Sequence, residues 1–177
     1  PTVADTDGDG LSDGEEVNGS SITITVHGKQ SLESTVFTDP TKKDTDGDGL
    51  SDLEEITGFN LYITNIGNRY IITDPTKSDT DGDNITDGDE TFGYTINITN
   101  MEPRTVVTDP TLADTDHDTL SDGYESRGFV INLPTIGILS VITDPTTIDT
   151  DEDGIADNDE IRERTIILER TYTKEEI

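Results

Sequence analysis

The stretch Asp44-Thr45-Asp46-Gly47-Asp48-Gly49-Leu50-Ser51-Asp52-Leu53-Glu54-Glu55 decides how this chain reads. Acidic side chains hold positions 1, 3, 5, 9 and 12 of these twelve residues, and the same pattern starts again at Asp5, Asp79, Asp114 and Asp149. Successive starts lie 39, 35, 35 and 35 residues apart. A second landmark, T-D-P-T, recurs at Thr38, Thr73, Thr108 and Thr143, again 35 residues apart. Self-similarity at such a period marks a repeat architecture.

Downstream of Glu55, the run Ile56-Thr57-Gly58 predicts a short helical turn stopped by glycine. Phe59, Leu61 and Ile63 then alternate with Asn60, Tyr62 and Thr64, the period-2 pattern of a half-buried strand. Residues 65–68 predict a turn, and residues 69–73 a returning strand. The same inward face is carried by Tyr94, Ile96 and Ile98, by Phe129, Ile131 and Leu133, and by Ile22, Ile24 and Val26. The first unit's four extra residues fall in its hairpin. The expected fold is mainly β: a linear array of five repeats, each a metal loop, a short helical turn and a β-hairpin. Repeat 1 covers residues 1–39, repeat 2 residues 40–74, repeat 3 residues 75–109 and repeat 4 residues 110–144. Repeat 5, residues 145–177, has an atypical tail. A lone hairpin is marginal in water, so each unit is expected to lean on its neighbours and its ions, as an extended, ladder-like rod.

The tail after Glu160 lacks T-D-P-T and holds Arg162, Arg164, Arg170 and Lys174, four of the eleven basic residues. Thr165, Ile167, Glu169 and Thr171 alternate there with Ile166, Leu168 and Arg170. This reads as an edge strand for a neighbour, as a strand within its own unit, or as a frayed terminus. Residues 1–4 match residues 40–43, so the array opens mid-unit, and both ends read as places where another polypeptide or another copy continues it. The chain starts at Pro1 rather than Met, which implies a processed or excerpted piece in which targeting signals are not readable.

The 177 residues include 40 acidic and 11 basic side chains, for a formal charge of −29, with 29% hydrophobic residues and no Trp. Taken bare, that is close to a disordered composition, so something must neutralise the charge. Such a field repels nucleic acid and anionic membranes, and no stretch is apolar enough to insert in a bilayer. The absence of Cys excludes disulfides, thiolate metal sites and a Cys nucleophile. A metal can replace disulfides as the staple.

Position 1 of the loops is Asp5, Asp44, Asp79, Asp114 and Asp149, and position 3 is Asp7, Asp46, Asp81, Asp116 and Asp151. Position 5 is Asp9, Asp48, Asp83, Asp118 and Asp153, and position 9 is Asp13, Asp52, Asp87, Asp122 and Asp157. Position 12 is Glu16, Glu55, Glu90, Glu125 and Glu160. Position 7 is Leu11, Leu50, Ile85, Leu120 and Ile155, each offering a backbone carbonyl. Alternate Asp side chains on a tight loop converge inward, and a Glu three residues past position 9 reaches back to bind through both oxygens. That suits Ca²⁺, a hard cation taking six to eight oxygens at about 2.3–2.6 Å, better than the smaller Mg²⁺ octahedron. Zinc would want His or Cys. The alternative, an acidic solvated tract, does not account for 25 of 40 acids in fixed register. Position 6 needs a left-handed backbone. Gly10, Gly49 and Gly154 supply it, and Asn84 is the next best. Thr119 is β-branched, so the fourth loop is expected to bind more weakly or bend differently.

The loop matches the EF-hand consensus at its ligands, but T-D-P-T stands where an EF-hand has its entering helix, and the apolar residue is at position 7 rather than 8. D-T-D-G-D-G-L-S-D preceded by T-D-P-T resembles thrombospondin type 3 repeats in their prokaryotic form, which occur in bacterial and archaeal surface and secreted proteins. The resemblance covers residues 1–161. The order of loop, hairpin and D-P is also similar to the calcium-binding domain of protective antigen-type toxin components, which implies two neighbouring Ca²⁺ per loop. Positions 3, 5 and 12 would then bridge the ions. Asp39, Asp74, Asp109 and Asp144 would serve the loops of Asp5, Asp44, Asp79 and Asp114. The fifth loop has no downstream T-D-P. The alternative for T-D-P-T is a turn, since Asp caps amides and Pro fixes φ. The first reading implies about nine Ca²⁺, the second about five. The toxin's activation segment and membrane-inserting domains have no counterpart, so toxin function is not implied.

Five carboxylates within a few ångströms repel by several kcal/mol in aggregate, so metal-binding energy becomes folding energy. Extracellular calcium would keep such sites filled, which favours a structural role over a sensor or buffer. The sequons at Asn18, Asn84 and Asn97 are chance matches or glycan sites. Thr23, Thr25, Thr95 and Thr99 face outward as β-formers or O-glycan sites. His27 and His117 read as surface residues. No nucleophile–base arrangement, P-loop or paired-acid cleft is evident, so no enzyme is expected. The expected protein is an extracellular or cell-surface, prokaryotic, calcium-stiffened rod: a filament subunit, stalk or adhesin segment, with copies of itself or further repeats as partners. The alternative is a calcium-dependent spacer or binding module of a larger secreted protein.

Overall fold

Each Asp-rich loop runs into a helix at its ninth residue. The computed structural model describes residues 4–24, 32–98, 101–133 and 137–161, without the side chains of 131–133 and 137–139. Thr25, Val26, His27, Thr99 and the tail from Arg162 onward lie outside the described residues, so the strand expected there does too. Among the described residues four helices are six residues long: α1 (Asp13–Asn18), α2 (Asp52–Thr57), α3 (Asp87–Phe92) and α4 (Asp122–Arg127); residues 157–161 are helical up to the last described residue. Six residues do not hold a helix in water alone; caps hold these. Ser12, Ser51, Thr86 and Ser121 each accept a hydrogen bond from the backbone N–H three residues on. In the first two, Glu15 and Glu54 reach back to the serine N–H and close a capping box. Gly19, Gly58, Gly93 and Gly128, at φ 75–87°, end the helices.

Each helix leads into a hairpin: β1 (Ser20–Ile24) with β2 (Leu32–Val36), β3 (Phe59–Ile63) with β4 (Gly67–Ile71), β5 (Tyr94–Ile96) with β6 (Arg104–Val106), and β7 (Phe129–Leu133) with β8 (Gly137–Val141). All four are two-stranded and antiparallel. The described chain is thus a small mixed fold of short helices and paired hairpins. The second hairpin turns earlier than expected, at residues 64–66, and β4 starts at Gly67 rather than Arg69. Asn65 takes φ 58° and Gly67 φ 110° to make the reversal, and Ile66 N–H closes it on Ile63 O at 3.2 Å.

The inward faces match the alternation in sequence but are small. Ile22, Ile24 and Val36 form one cluster, Leu61, Ile63 and Ile71 a second, and Ile96, Ile98 and Val106 a third. Three aliphatics at about 1.5–3 kcal/mol each do not offset the ordering of 35 residues at about 1–2 kcal/mol each. The units therefore share their cores. The residue preceding each later T-D-P-T closes the hairpin before it: Ile72 packs on the first cluster, Val107 on the second and Ile142 on the third. Val107 is also tied by its carbonyl to Thr64 N (3.0 Å) and by its N–H to Thr64 Oγ1 (2.9 Å). Asn65 Nδ2 reaches further along the chain, to Thr146 Oγ1 at 3.0 Å.

Candidate metal centre

The second loop shows how such a loop is wound. Asp44 at position 1 accepts from Gly47 N (2.6 Å) through one oxygen and from Gly49 N (3.0 Å) through the other. Asp46 Oδ1 accepts from Asp48 N at 3.3 Å, and Asp48 Oδ1 from Leu50 N at 2.8 Å. Position 3 thus spends one oxygen on the backbone and keeps one. The winding needs left-handed residues at positions 4 and 6. These are Gly47 and Gly49 in loop 2, Gly82 and Asn84 in loop 3, and Glu152 and Gly154 in loop 5. Loop 4 winds the same way through His117 (φ 71°) and Thr119 (φ 85°), so it does not bend differently; the strain stays in Thr119.

Position 9 has a separate task. Asp52 takes both Thr45 N (2.8 Å) and Thr45 Oγ1 (2.7 Å), a clasp between positions 2 and 9. Thr6–Asp13, Thr80–Asp87, Thr115–Asp122 and Thr150–Asp157 repeat it. At position 12, Glu55 Oε1 accepts from Thr73 Oγ1 at 2.9 Å, the first residue of the following T-D-P-T. Glu16, Glu90 and Glu125 are held alike by Thr38, Thr108 and Thr143.

The structure brings positions 1, 3 and 5 together. Asp5, Asp7 and Asp9 each offer an oxygen within 4.8 Å of the others, as do Asp44, Asp46 and Asp48; Asp79, Asp81 and Asp83; and Asp114, Asp116 and Asp118. A further group crosses from one loop to the next: Asp48, Glu55 and Asp87. At positions 3 and 12 of these groups one carboxylate oxygen lacks a protein partner. Asp7, Asp46, Asp81 and Asp116 each bury an unpartnered Oδ2, and Glu16, Glu55, Glu90 and Glu125 an unpartnered Oε2. The four glutamates are at most 1% exposed. Buried carboxylate oxygens without donors are costly unless a cation meets them, and an all-oxygen set of this kind fits Ca²⁺.

The carboxyl pKa values carry the same strain. Burial first, then Asp46, pushes Glu55 up to about 9. Burial and Asp116 push Glu125 to about 10, and burial and Asp83 push Asp81 to about 8. Glu90 is raised well above its ordinary value by burial and by Asp81 and Asp83. Asp46 rises to about 6 and Asp116 to about 7, again by burial before repulsion. Each group favours a proton or a cation over a bare charge.

The junctions between loops were not read from the sequence. Gly88 N donates to Asp48 Oδ2 (3.0 Å), Gly123 N to Asp83 Oδ2 (2.6 Å) and Asn158 N to Asp118 Oδ2 (3.1 Å). The approach is close enough that a Cβ on Gly88 would lie 2.0 Å from Asp48 O, and one on Gly123 2.1 Å from Asp83 O. Glycine at position 10 was the available signal. Leu53 occupies that position in loop 2, where it packs over Gly10, and Asp9 Oδ2 is left unpartnered.

The T-D-P-T aspartates are placed in turns. Asp39, Asp74, Asp109 and Asp144 each accept through Oδ1 from the N–H and hydroxyl of the threonine two residues on. Their Oδ2 atoms face Lys42 (3.8 Å), Lys77 (2.5 Å), Arg69 (3.9 Å) and Arg104 (2.5 Å) respectively. Of the position-7 side chains, Leu11, Leu50 and Ile85 are buried, Leu120 is half-buried and Ile155 is exposed. In loop 5, Asp149 accepts from Gly154 N, Asp151 from Asp153 N and Asp153 from Ile155 N. Asp151 and Asp153 are exposed, Asp157 is buried and Glu160 is half-buried.

Comparison with known families gives this geometry its class. Residues 5–19 and 44–58 match the bacterial TSP3 repeat family. Residues 78–111 match the clostridial binary toxin B/anthrax toxin PA Ca-binding domain. The first three loops lie inside these matches, and both families agree with the resemblances read from the sequence: this is a calcium-binding repeat protein. No curated protein and no solved structure matches the chain. No helix among the described residues is long and apolar enough to cross a membrane.

Proposed function

We propose that the chain is an extracellular structural protein, an array of five EF-hand-like calcium repeats stiffened into a rod and used as a filament subunit, stalk or adhesin segment of a prokaryotic cell surface. The repeats run over residues 1–39, 40–74, 75–109, 110–144 and 145–177. In each loop, positions 1, 3 and 5, the position-7 carbonyl and the position-12 glutamate hold one ion. A second ion sits at each junction, between positions 5 and 12 of one loop and position 9 of the next, as in Asp48, Glu55 and Asp87. The T-D-P-T aspartates pin the turn that carries the glutamate's threonine. No residue is assigned to catalysis.

The observation that carries this reading is the buried, unpartnered oxygen at positions 3 and 12 in four successive loops. Because those oxygens oppose folding until a cation meets them, metal-binding energy becomes folding energy. The test is a calcium titration followed by calorimetry and circular dichroism, with negative-stain microscopy of the filled protein. Five loops and four junctions predict about nine ions; a count near five removes the junction ions. Retained sheet signal in excess chelator refutes the coupling to folding. Rods or fibres support the structural role. Monomers of fixed length favour the second reading, a spacer module within a larger secreted protein.

A further inference from the structure

Where a loop meets the helical turn of the next repeat, a side chain from that turn covers position 6 of the loop at three of the four junctions among the described residues. Leu53 packs over Gly10, Phe92 stands 3.6 Å from where a Cβ on Gly49 would lie, and Asn158 Nδ2 donates to Thr119 Oγ1 at 3.1 Å. Between loop 3 and α4 the space is open. Asn84 holds position 6 there, and Asp83, Asn84, Ser121, Tyr124 and Arg127 line a cavity of about 260 Å³.

Tyr124 breaks the pattern of the repeats. Position 11 is Glu15, Glu54, Asp89 and Asp159 in the other loops. In the first two that acid closes the capping box. Tyrosine cannot, so α4 gives up a stabilising contact and carries an aromatic side chain that is 48% exposed. The ring is held in place all the same. It stacks on the buried Phe129, with centroids 5.3 Å apart and planes 14° from parallel. One face of the ring is thus fixed on the protein, and the other is left to the cavity that the residue lines. The missing acid also leaves the Ser121 hydroxyl without the acceptor that Ser12 and Ser51 have in Glu15 and Glu54. Ser121 Oγ accepts from Tyr124 N at 3.3 Å and keeps its proton for a ligand. Asn84 spends Nδ2 on Asp83 O at 2.8 Å and keeps Oδ1 as an acceptor. Arg127, the last residue of α4, adds donors.

We infer that this cavity binds one ring of a neutral saccharide, with Tyr124 as the stacking platform and Asn84, Ser121 and Arg127 as partners of its hydroxyls. A pyranose has a face of C–H bonds that suits the negative face of an aromatic ring. Its rim of hydroxyls both donates and accepts, and the lining supplies both roles. The volume of about 260 Å³ lies below the roughly 300–1,000 Å³ of sites that enclose a drug-sized ligand. The site therefore takes one ring and leaves the rest of a glycan in solvent. An anion is disfavoured, because Asp83 lines the same cavity and the chain carries a formal charge of −29. The inference rests on the calcium-repeat reading, since loop 3 forms one wall, and it gives an adhesin segment its class of ligand.

Amide chemical-shift mapping of the isotope-labelled full chain in calcium chloride tests it, with methyl glucoside, methyl galactoside, methyl mannoside and methyl glucuronide as probes. At least one neutral glycoside is expected to shift the resonances of Asn84, Ser121, Tyr124 and Arg127, with a Kd on the order of 1 mM. Tyr124→Glu restores the acid of the other loops at a position assigned no metal, so it keeps the calcium isotherm and the circular dichroism transition but weakens glycoside binding by roughly tenfold or more. Tyr62→Ser, which removes an exposed tyrosine from the outer face of β3, leaves binding intact. If calcium neither binds nor orders the wild type, the calcium-repeat reading itself fails and the saccharide site falls with it. If calcium orders the chain but no neutral glycoside shifts those four residues, if the glucuronide alone does so, or if binding survives Tyr124→Glu, the saccharide inference is overturned while the calcium-repeat reading stands.

Discussion

Gly88→Ala places a methyl group where the chain has no room for it. The new Cβ would lie 2.0 Å from Asp48 O and 2.9 Å from Asp48 C. The obstacle is backbone, so α3 and loop 2 must separate by more than an ångström. That breaks the 3.0 Å bond from Gly88 N to Asp48 Oδ2, a charge-assisted contact worth about 1.5–3 kcal/mol. Overpacking adds about 1–3 kcal/mol, while alanine's helix propensity returns about 1 kcal/mol. The expected net loss is about 1.5–5 kcal/mol. For a chain of this size that lowers the thermal midpoint by roughly 3–20 °C. Gly14→Ala is the matched control: it changes the same loop position in a helix of the same length, but its Cβ meets only Ser12 Oγ at 3.9 Å. It is expected to be neutral or to stabilise by up to about 1 kcal/mol. Both variants are melted in saturating calcium with circular dichroism as the probe. Equal shifts in the two would refute the close packing of loop on helix.

Thr119→Gly relieves a β-branched residue at φ 85°, a conformation costing about 1–2 kcal/mol. Even after the exposed bond from Asn158 Nδ2 is lost, the denaturation midpoint in calcium should rise; a fall would show that the strain is not there. The raised carboxyls fix the pH response of the ion-free chain. Glu55 moves from 4.5 to about 9 and Glu125 from 4.5 to about 10, so the folded form binds more protons than the unfolded form across that window. Its stability is fully present below the unfolded value and is lost as pH rises toward the folded value. In chelator, circular dichroism should show more structure at pH 5 than at pH 8. In calcium the trend reverses, because protons compete for the same oxygens and apparent affinity climbs with pH. An ion-free chain that gains structure as pH rises would contradict the burial of these glutamates.

What the sequence made legible was whatever lies within one unit. Alternation placed Leu61, Ile63 and Ile96 on the buried faces, and the spacing of Asp44, Asp46 and Asp48 placed their carboxylates together. What it hid was contact between units. Asp87 reads as a ligand of its own loop, yet it is clasped there by Thr80 and lies with Asp48 and Glu55 of the loop before. The two meet across about forty residues, and a one-dimensional pattern with identical acids in every copy does not say which copy a side chain faces. Gly88 and Gly123 held the trace, since only a close backbone approach demands glycine inside a helix. The left-handed residue at position 4 was hidden because His117 and Glu152 fill it alongside the glycines. Asp74 was open between ligand and turn; its partners Thr76 and Lys77 are local, and nothing in T-D-P-T says whether a lysine or an ion will take the second oxygen.

The carboxylate of Asp48 belongs to one unit and grips the backbone of the next. Pulled from its ends, such a chain bears load through those grips, and a unit lets go only after its ligands leave their ions. Each release would pay out about 35 residues, roughly 120 Å of slack, so stretching should proceed in discrete steps rather than one collapse. The force at each step would track the calcium dissolved around the thread, making its tensile strength a property of the surrounding water as much as of the polypeptide.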